Sequence, residues 1–197
     1  MGRTSPSELL SLLNSKSKAE RQQGLEKMNK EYQDHPEQLG ELVESGIIHT
    51  LHKIIDGSFE SKGSSKSEDE LSFDECVALR LPSLKLIYLL SQSYDEFPDT
   101  SQRLIFDSLL GLLFKVSSSF DFTSNDEQIV SIASLRNFAL SPEAAVRFML
   151  IGGIPLLFTL MYHKNQKISA HAIASLANLC LTDTVQNLIS QTLREKV

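Results

Sequence analysis

Apolar residues recur along most of this chain at three- and four-residue spacing, which predicts helices rather than strands. Leu104, Ile105, Leu109, Leu112, Leu113 and Val116 form one such run within residues 101–118. Ile129, Ile132 and Leu135 begin another, and Asn125, Asp126 and Glu127 precede it as a helix start. Ser5-Pro6-Ser7-Glu8 and Ser141-Pro142-Glu143 each place a cap residue, a first-turn proline and a first-turn acid in order. The uncharged stretch from Phe148 to Tyr162 contains Gly152, Gly153 and Pro155. It is shorter than the ~20 residues of a membrane span. It reads as the end of one buried helix and the start of another.

The pattern repeats. Residues 132–141 (IASLRNFALS) and 173–182 (IASLANLCLT) agree at six of ten positions, with an offset of 41 residues. That offset is the period of a helical repeat. Between the copies lies Gly152-Gly153-Ile154-Pro155. The glycine pair ends one helix, because glycine tolerates positive φ, and Pro155 suits the first turn of the next. The unit is therefore a short helix, a break, a second helix, a loop and a third helix.

These residues resemble the armadillo repeat family, whose units carry a Gly-Gly-Ile-Pro-like break followed by an Ala-Leu-x-Asn-Leu-like third helix. Here the third helix reads Ala174-Ser175-Leu176-Ala177-Asn178-Leu179, and Leu176 falls 22 residues after Ile154. Upstream, Glu44-Ser45-Gly46-Ile47-Ile48 resembles the same break, with Leu84 to Leu90 as its third helix. The spacing there is 39 from Ile47 to Leu86, an excess of 17 residues. The polar, Ser-rich and acidic stretch 57–75 accounts for it as a disordered insertion. Leu9 to Leu13 and Gln22 to Tyr32 resemble a second and third helix without a first. HEAT repeats have no need of the glycine break, which favours armadillo. The resemblance implies a single all-α domain over 1–197, a right-handed armadillo-like α-solenoid of roughly four repeats, the terminal ones incomplete.

Composition narrows the function. The net charge is −6 and no cluster of five Lys or Arg occurs, so a nucleic-acid or anionic-membrane surface is not expected. Pro6 breaks the myristoylation pattern of the first residues, so no lipid anchor is expected. Cys76 and Cys180 form no CxxC pair. With no secretory leader evident, they read as reduced structural thiols in the cytoplasm or nucleus, Cys180 as a small buried hydrophobe. There is no GxGxxG, P-loop, HExxH or GxSxG motif, so no enzyme and no cofactor are expected. His49 and His52 stand three apart with only Asp56 nearby. That is too few ligands for a metal, and both read as rim histidines.

What remains is protein binding. The resemblance implies a concave groove on the third helices. An Asn there clamps the backbone of an extended ligand, since an amide offers both a donor and an acceptor. Asn137 and Asn178 occupy that place, Tyr88 falls at it upstream, and Arg136 stands ready for an acidic or phosphorylated ligand. Importin-α grooves add a Trp four residues earlier to stack on basic side chains. Here those positions are Ala133 and Ala174 and the chain has no Trp, so a basic peptide is not expected by that route. Ser67 precedes Glu68, Asp69 and Glu70, and Ser72 precedes Asp74 and Glu75. Both are candidate phosphorylation sites, each adding about −1.5 to −2 charges. The expected function is a non-catalytic adaptor that binds a partner protein or extended peptide. The alternatives are an Hsp70-type chaperone regulator acting as a nucleotide-exchange factor, or a structural subunit of a larger assembly.

Overall fold

The protein is described by a computed structural model over residues 5–15, 17–57, 71–119, 123–181, 183 and 185–187, the side chain of Phe106 excepted. Ten α-helices and no strand occur among the described residues. Internal contacts group the chain, read from sequence as a single domain, into two compact units, Met1–Leu112 and Leu113–Val197. A helical repeat touches only its neighbours, so such a division needs no linker.

In the first unit, α1 (Pro6–Leu13) packs on α2 (Lys18–Asp34). A short 3-10 turn, α3 (Leu39–Glu44), α4 (Ile47–Gly57) and α5 (Phe73–Gln92) follow. Ser5 and Ser72 each close a capping box with the Glu three residues on, at Glu8 and Glu75. Each box satisfies backbone N–H groups that a helix start leaves unpaired. The α3–α4 break falls at Gly46, whose φ of 92° only glycine adopts without strain. Leu25, Met28, Tyr32, Ile47, Ile54, Leu84 and Ile87 are buried in this unit's core.

Residues 58–70, including Ser67, lie outside the described residues. The edges of the expected 57–75 insertion are corrected. Gly57 belongs to α4, Ser72 caps α5, and Phe73 to Glu75 form its first turn. The Ser-x-x-Glu pattern there is a helix start as well as an acidic run.

Helix α6 (Asp99–Ser118) runs unbroken through the region that lacks a glycine pair. Ile105, Leu109, Leu112, Leu113 and Val116 are buried, but Leu104 is 48 % exposed. Ile105 and its successors hold one stripe, and Leu104 sits about 100° off it.

In the second unit, α7 (Asn125–Phe138), α8 (Pro142–Leu150), α9 (Gly153–Met161) and α10 (Gln166–Leu181) follow. The cap of α7 is Ser124, boxed with Glu127, one residue before the start read from sequence. The two glycines between α8 and α9 serve different ends. Gly152 takes φ 90°. At Gly153 a Cβ would lie 2.5 Å from the Phe148 carbonyl oxygen, so only glycine lets the helix start there. Among the described residues no single helix is long and apolar enough to cross a membrane. Among those residues only α8 and α9 taken together are both long and apolar enough, and they are bent by 84° at their break. Cys76 is buried, but Cys180, expected to be a buried hydrophobe, is exposed, one position round the helix from the fully buried Leu179.

Candidate functional site on the third helices

The third helices of the first unit are α2 and α5, packed side by side. Their apolar stripes turn inward: Leu25, Met28 and Tyr32 on α2, and Leu79, Leu86 and Leu90 on α5. The outer stripe of α2 is Glu26, Asn29, Lys30 and Gln33, at spacings of three and four. It faces Pro82, Lys85, Tyr88 and Leu89 of α5 across a groove of about 420 Å³.

Two ties hold the groove walls. The Arg21 guanidinium, 8 % exposed, donates to the Glu75 carboxylate in the first turn of α5 and to the Ser15 carbonyl. Burial pushes the Glu75 carboxyl up. The Ser72 backbone and hydroxyl and the Arg21 charge outweigh it and hold the carboxyl below the ordinary carboxylate value. The second tie is Asn29. Its Nδ2 donates to the Leu25 carbonyl on its own helix and to the Pro82 carbonyl on α5, both at 2.9 Å. The two carbonyls fix which way the amide points. Its Oδ1 is then a buried acceptor with no hydrogen-bond partner among the described residues. Leaving such an atom unpaired costs about 1–3 kcal/mol.

Tyr88 lies in this groove, half-buried, its hydroxyl accepting from Gln92 Nε2 at 3.2 Å. Asn29 was not among the residues marked from sequence. Its signal was the polar stripe at 26, 29, 30 and 33 opposite the apolar one, visible only once both faces are counted. Lys30 and Lys85 are exposed, and neither has a carboxylate partner among the described residues. Glu26, also on the wall, accepts from Gln22 at 3.0 Å.

In the second unit the third helices are α7 and α10, again packed together. Arg136, Asn137 and Asn178 come together here. Asn178 Nδ2 donates to the Arg136 carbonyl at 3.0 Å, and Arg136 makes a long 3.4 Å contact with Asn137 Oδ1. Asn178 thus spends an amide hydrogen on holding one third helix to the next. His171 lies two turns before Asn178 on α10. Burial, and then the Arg136 charge, hold its imidazole below the ordinary value. Ser72 is exposed, and its hydroxyl accepts from the Glu75 N–H at 3.4 Å as an N-cap. His49 is exposed and His52 half-buried. Among the described residues no group of three or more His, Cys, Asp or Glu is placed to hold a metal ion.

No family model matches the chain, and no curated protein matches it. Solved structures do. A computationally designed armadillo repeat protein for modular peptide recognition superposes with a TM-score of 0.71, over 96 % of this chain and 69 % of its own, at 19 % identity. An engineered protein superposes at 0.69, over 94 % and 67 %, at 18 % identity. A designed armadillo repeat protein in complex with the peptide (KR)4 gives 0.66, over 88 % and 63 %, at 19 % identity. This chain spans about two thirds of the length of these three proteins. The fold is that of the armadillo-type helical repeat, all-α, as the glycine breaks and the 41-residue repeat imply.

Proposed function

We propose that this protein is a non-catalytic binding module that holds an extended segment of a partner protein in the groove between α2 and α5. The observation that carries this is Asn29. It lines the groove with its hydrogens spent on two helix carbonyls and its Oδ1 left without a partner. That oxygen is shielded in the unliganded protein, so a ligand backbone N–H meets it only where the groove walls part; doing so would remove a standing penalty, and Tyr88 and Leu89 beside it offer apolar contact. Similarity to armadillo proteins designed for peptide recognition supports the same reading. The face of α7 and α10 is less well supported, because Asn178 already gives hydrogen to the Arg136 carbonyl. The module would work in the cytoplasm or nucleus, where Cys76 and the exposed Cys180 stay reduced.

The test is selection of displayed random peptides on the immobilised protein. Two variants serve as controls: Tyr88→Ala, and Gln33→Trp, which fills the groove from an exposed position on α2. Peptides enriched on the parent and lost on both variants, at equal helicity, are expected. Peptides that bind all three proteins alike would move the site elsewhere and end this reading.

A further inference from the structure

We infer that the α2–α5 groove selects an acidic segment, recognised by Lys30 and Lys85 from opposite walls. This rests on the groove being the binding site, and it names the chemistry of what binds there.

The argument is one of charge placement. The whole chain carries −6, so a patch chosen at random is expected to be acidic. The groove walls instead carry two lysines and one glutamate, Lys30 and Glu26 on α2 and Lys85 on α5. Glu26, one helical turn from Lys30 and hydrogen-bonded by Gln22, offsets one lysine, so two lysines against one glutamate leave the walls at +1. Lys85 is one turn from Tyr88, so its ammonium and the phenol ring address the same stretch of ligand. The remaining polar groups there, Gln33 and the Asn29 oxygen, are neutral. An extended ligand turns alternate side chains to opposite sides. A segment alternating acidic and apolar residues would place carboxylates at the lysines and apolar groups on Tyr88 and Leu89. A basic ligand such as (KR)4 would need the opposite charge on these groove walls.

The test uses a fluorescein-labelled octapeptide of alternating Asp and Leu, its Lys–Leu counterpart, and a single-stranded DNA octamer as an anion without a peptide backbone. The Asp–Leu peptide should bind the parent at least about tenfold tighter than either control, and more weakly as salt rises from about 0.05 to about 0.5 M. In Lys30→Glu/Lys85→Glu, two exposed positions, the preference between the peptides should reverse with helicity unchanged. An equal or stronger Lys–Leu peptide, DNA binding as tight as the Asp–Leu peptide, or a double variant that binds Asp–Leu unchanged would each overturn the inference. So would no binding of the Asp–Leu peptide. Selected peptides that are neutral or basic yet excluded by Gln33→Trp would overturn the acidic selectivity while leaving the groove as the site.

Discussion

Helices α7 and α10 carry nearly the same sequence and live in different surroundings. Ile132 on α7 is fully buried, while its counterpart Ile173, 41 residues on, is 52 % exposed. Ala139 is 1 % exposed, and its counterpart Cys180 is exposed. The inner positions do not change: Ser134 and Ser175 are both fully buried, as are Phe138 and Leu179 to within 1 %. The difference is confined to one side. Helix α7 is covered by α10, and no described helix covers α10 in the same way. A repeated sequence thus specifies a face to be stacked on, and the burial of that face depends on what stands next to it.

The largest test of this contrast is truncation at the paired isoleucines. Ile132→Ala should cost about 2–5 kcal/mol, from lost burial and the cavity left behind. Ile173→Ala should stay within about 0.5 kcal/mol, as at other exposed positions. Urea unfolding followed by circular dichroism reads both. Since the two residues belong to the same unit, they report on one transition. Equal losses at the two sites would mean that the exposed side of α10 is covered in solution, and the contrast would collapse.

A smaller effect separates the inner registers. Ser131 on α7 is fully buried, accepts from Ser117 Oγ at 3.0 Å and donates to the Leu113 carbonyl at 2.8 Å. Its counterpart on α10 is Ala172, also fully buried. Helix α7 is therefore pinned to the preceding helix by a hydroxyl pair at this register, where α10 has a buried methyl; α10 is tied instead at Ser169, whose Oγ donates to the Met161 carbonyl of α9 at 2.7 Å, and at Asn178. Ser131→Ala leaves the Ser117 hydroxyl buried without that acceptor and should cost about 1–3 kcal/mol. Adding Ser117→Ala should restore part of the loss, because the orphaned group then goes too. Additive losses in the double variant would show that the two hydroxyls do not act as a pair.

This contrast also marks what the residues alone could reveal. The helix start at Ser5 was legible from its Ser-x-x-Glu pattern, whereas the same pattern at Ser72 lies within the stretch read as an acidic insertion and that at Ser124 starts the helix one residue before the start read from sequence; the repeat breaks at Gly46 and Gly152 were legible because positive φ selects glycine. Facing was less so. Leu104 and Cys180 are apolar, but each sits one residue off its stripe, and periodicity does not say how wide the covered face is. The site was half legible. Asn137 and Asn178 stand out because they repeat, yet their environment ties Asn178 to Arg136. Asn29, with its unpaired oxygen, repeats nowhere and emerges only when α2 meets α5.

The smallest effect is a pH dependence that the repeat pairing isolates. His171 on α10 stands where α7 has Val130, so one copy carries a titratable group at this register and the other does not. Burial and then Arg136 lower the His171 pKa, so the folded unit binds the proton less readily than the unfolded chain. Stability is then unaffected above the ordinary imidazole value of about 6.5, declines as pH falls below it, and levels off beneath the lowered folded value. The unfolding midpoint should therefore drop modestly between about pH 7 and pH 5 in the parent. His171→Val, which copies the α7 residue into α10, should flatten that slope while leaving the midpoint at about pH 8 close to the parent's. Arg136→Gln removes the charge but not the burial, and should flatten it only in part, because burial is the larger cause. An unchanged slope in His171→Val would assign the titration to another group, and the two copies would then be electrostatically alike at this register.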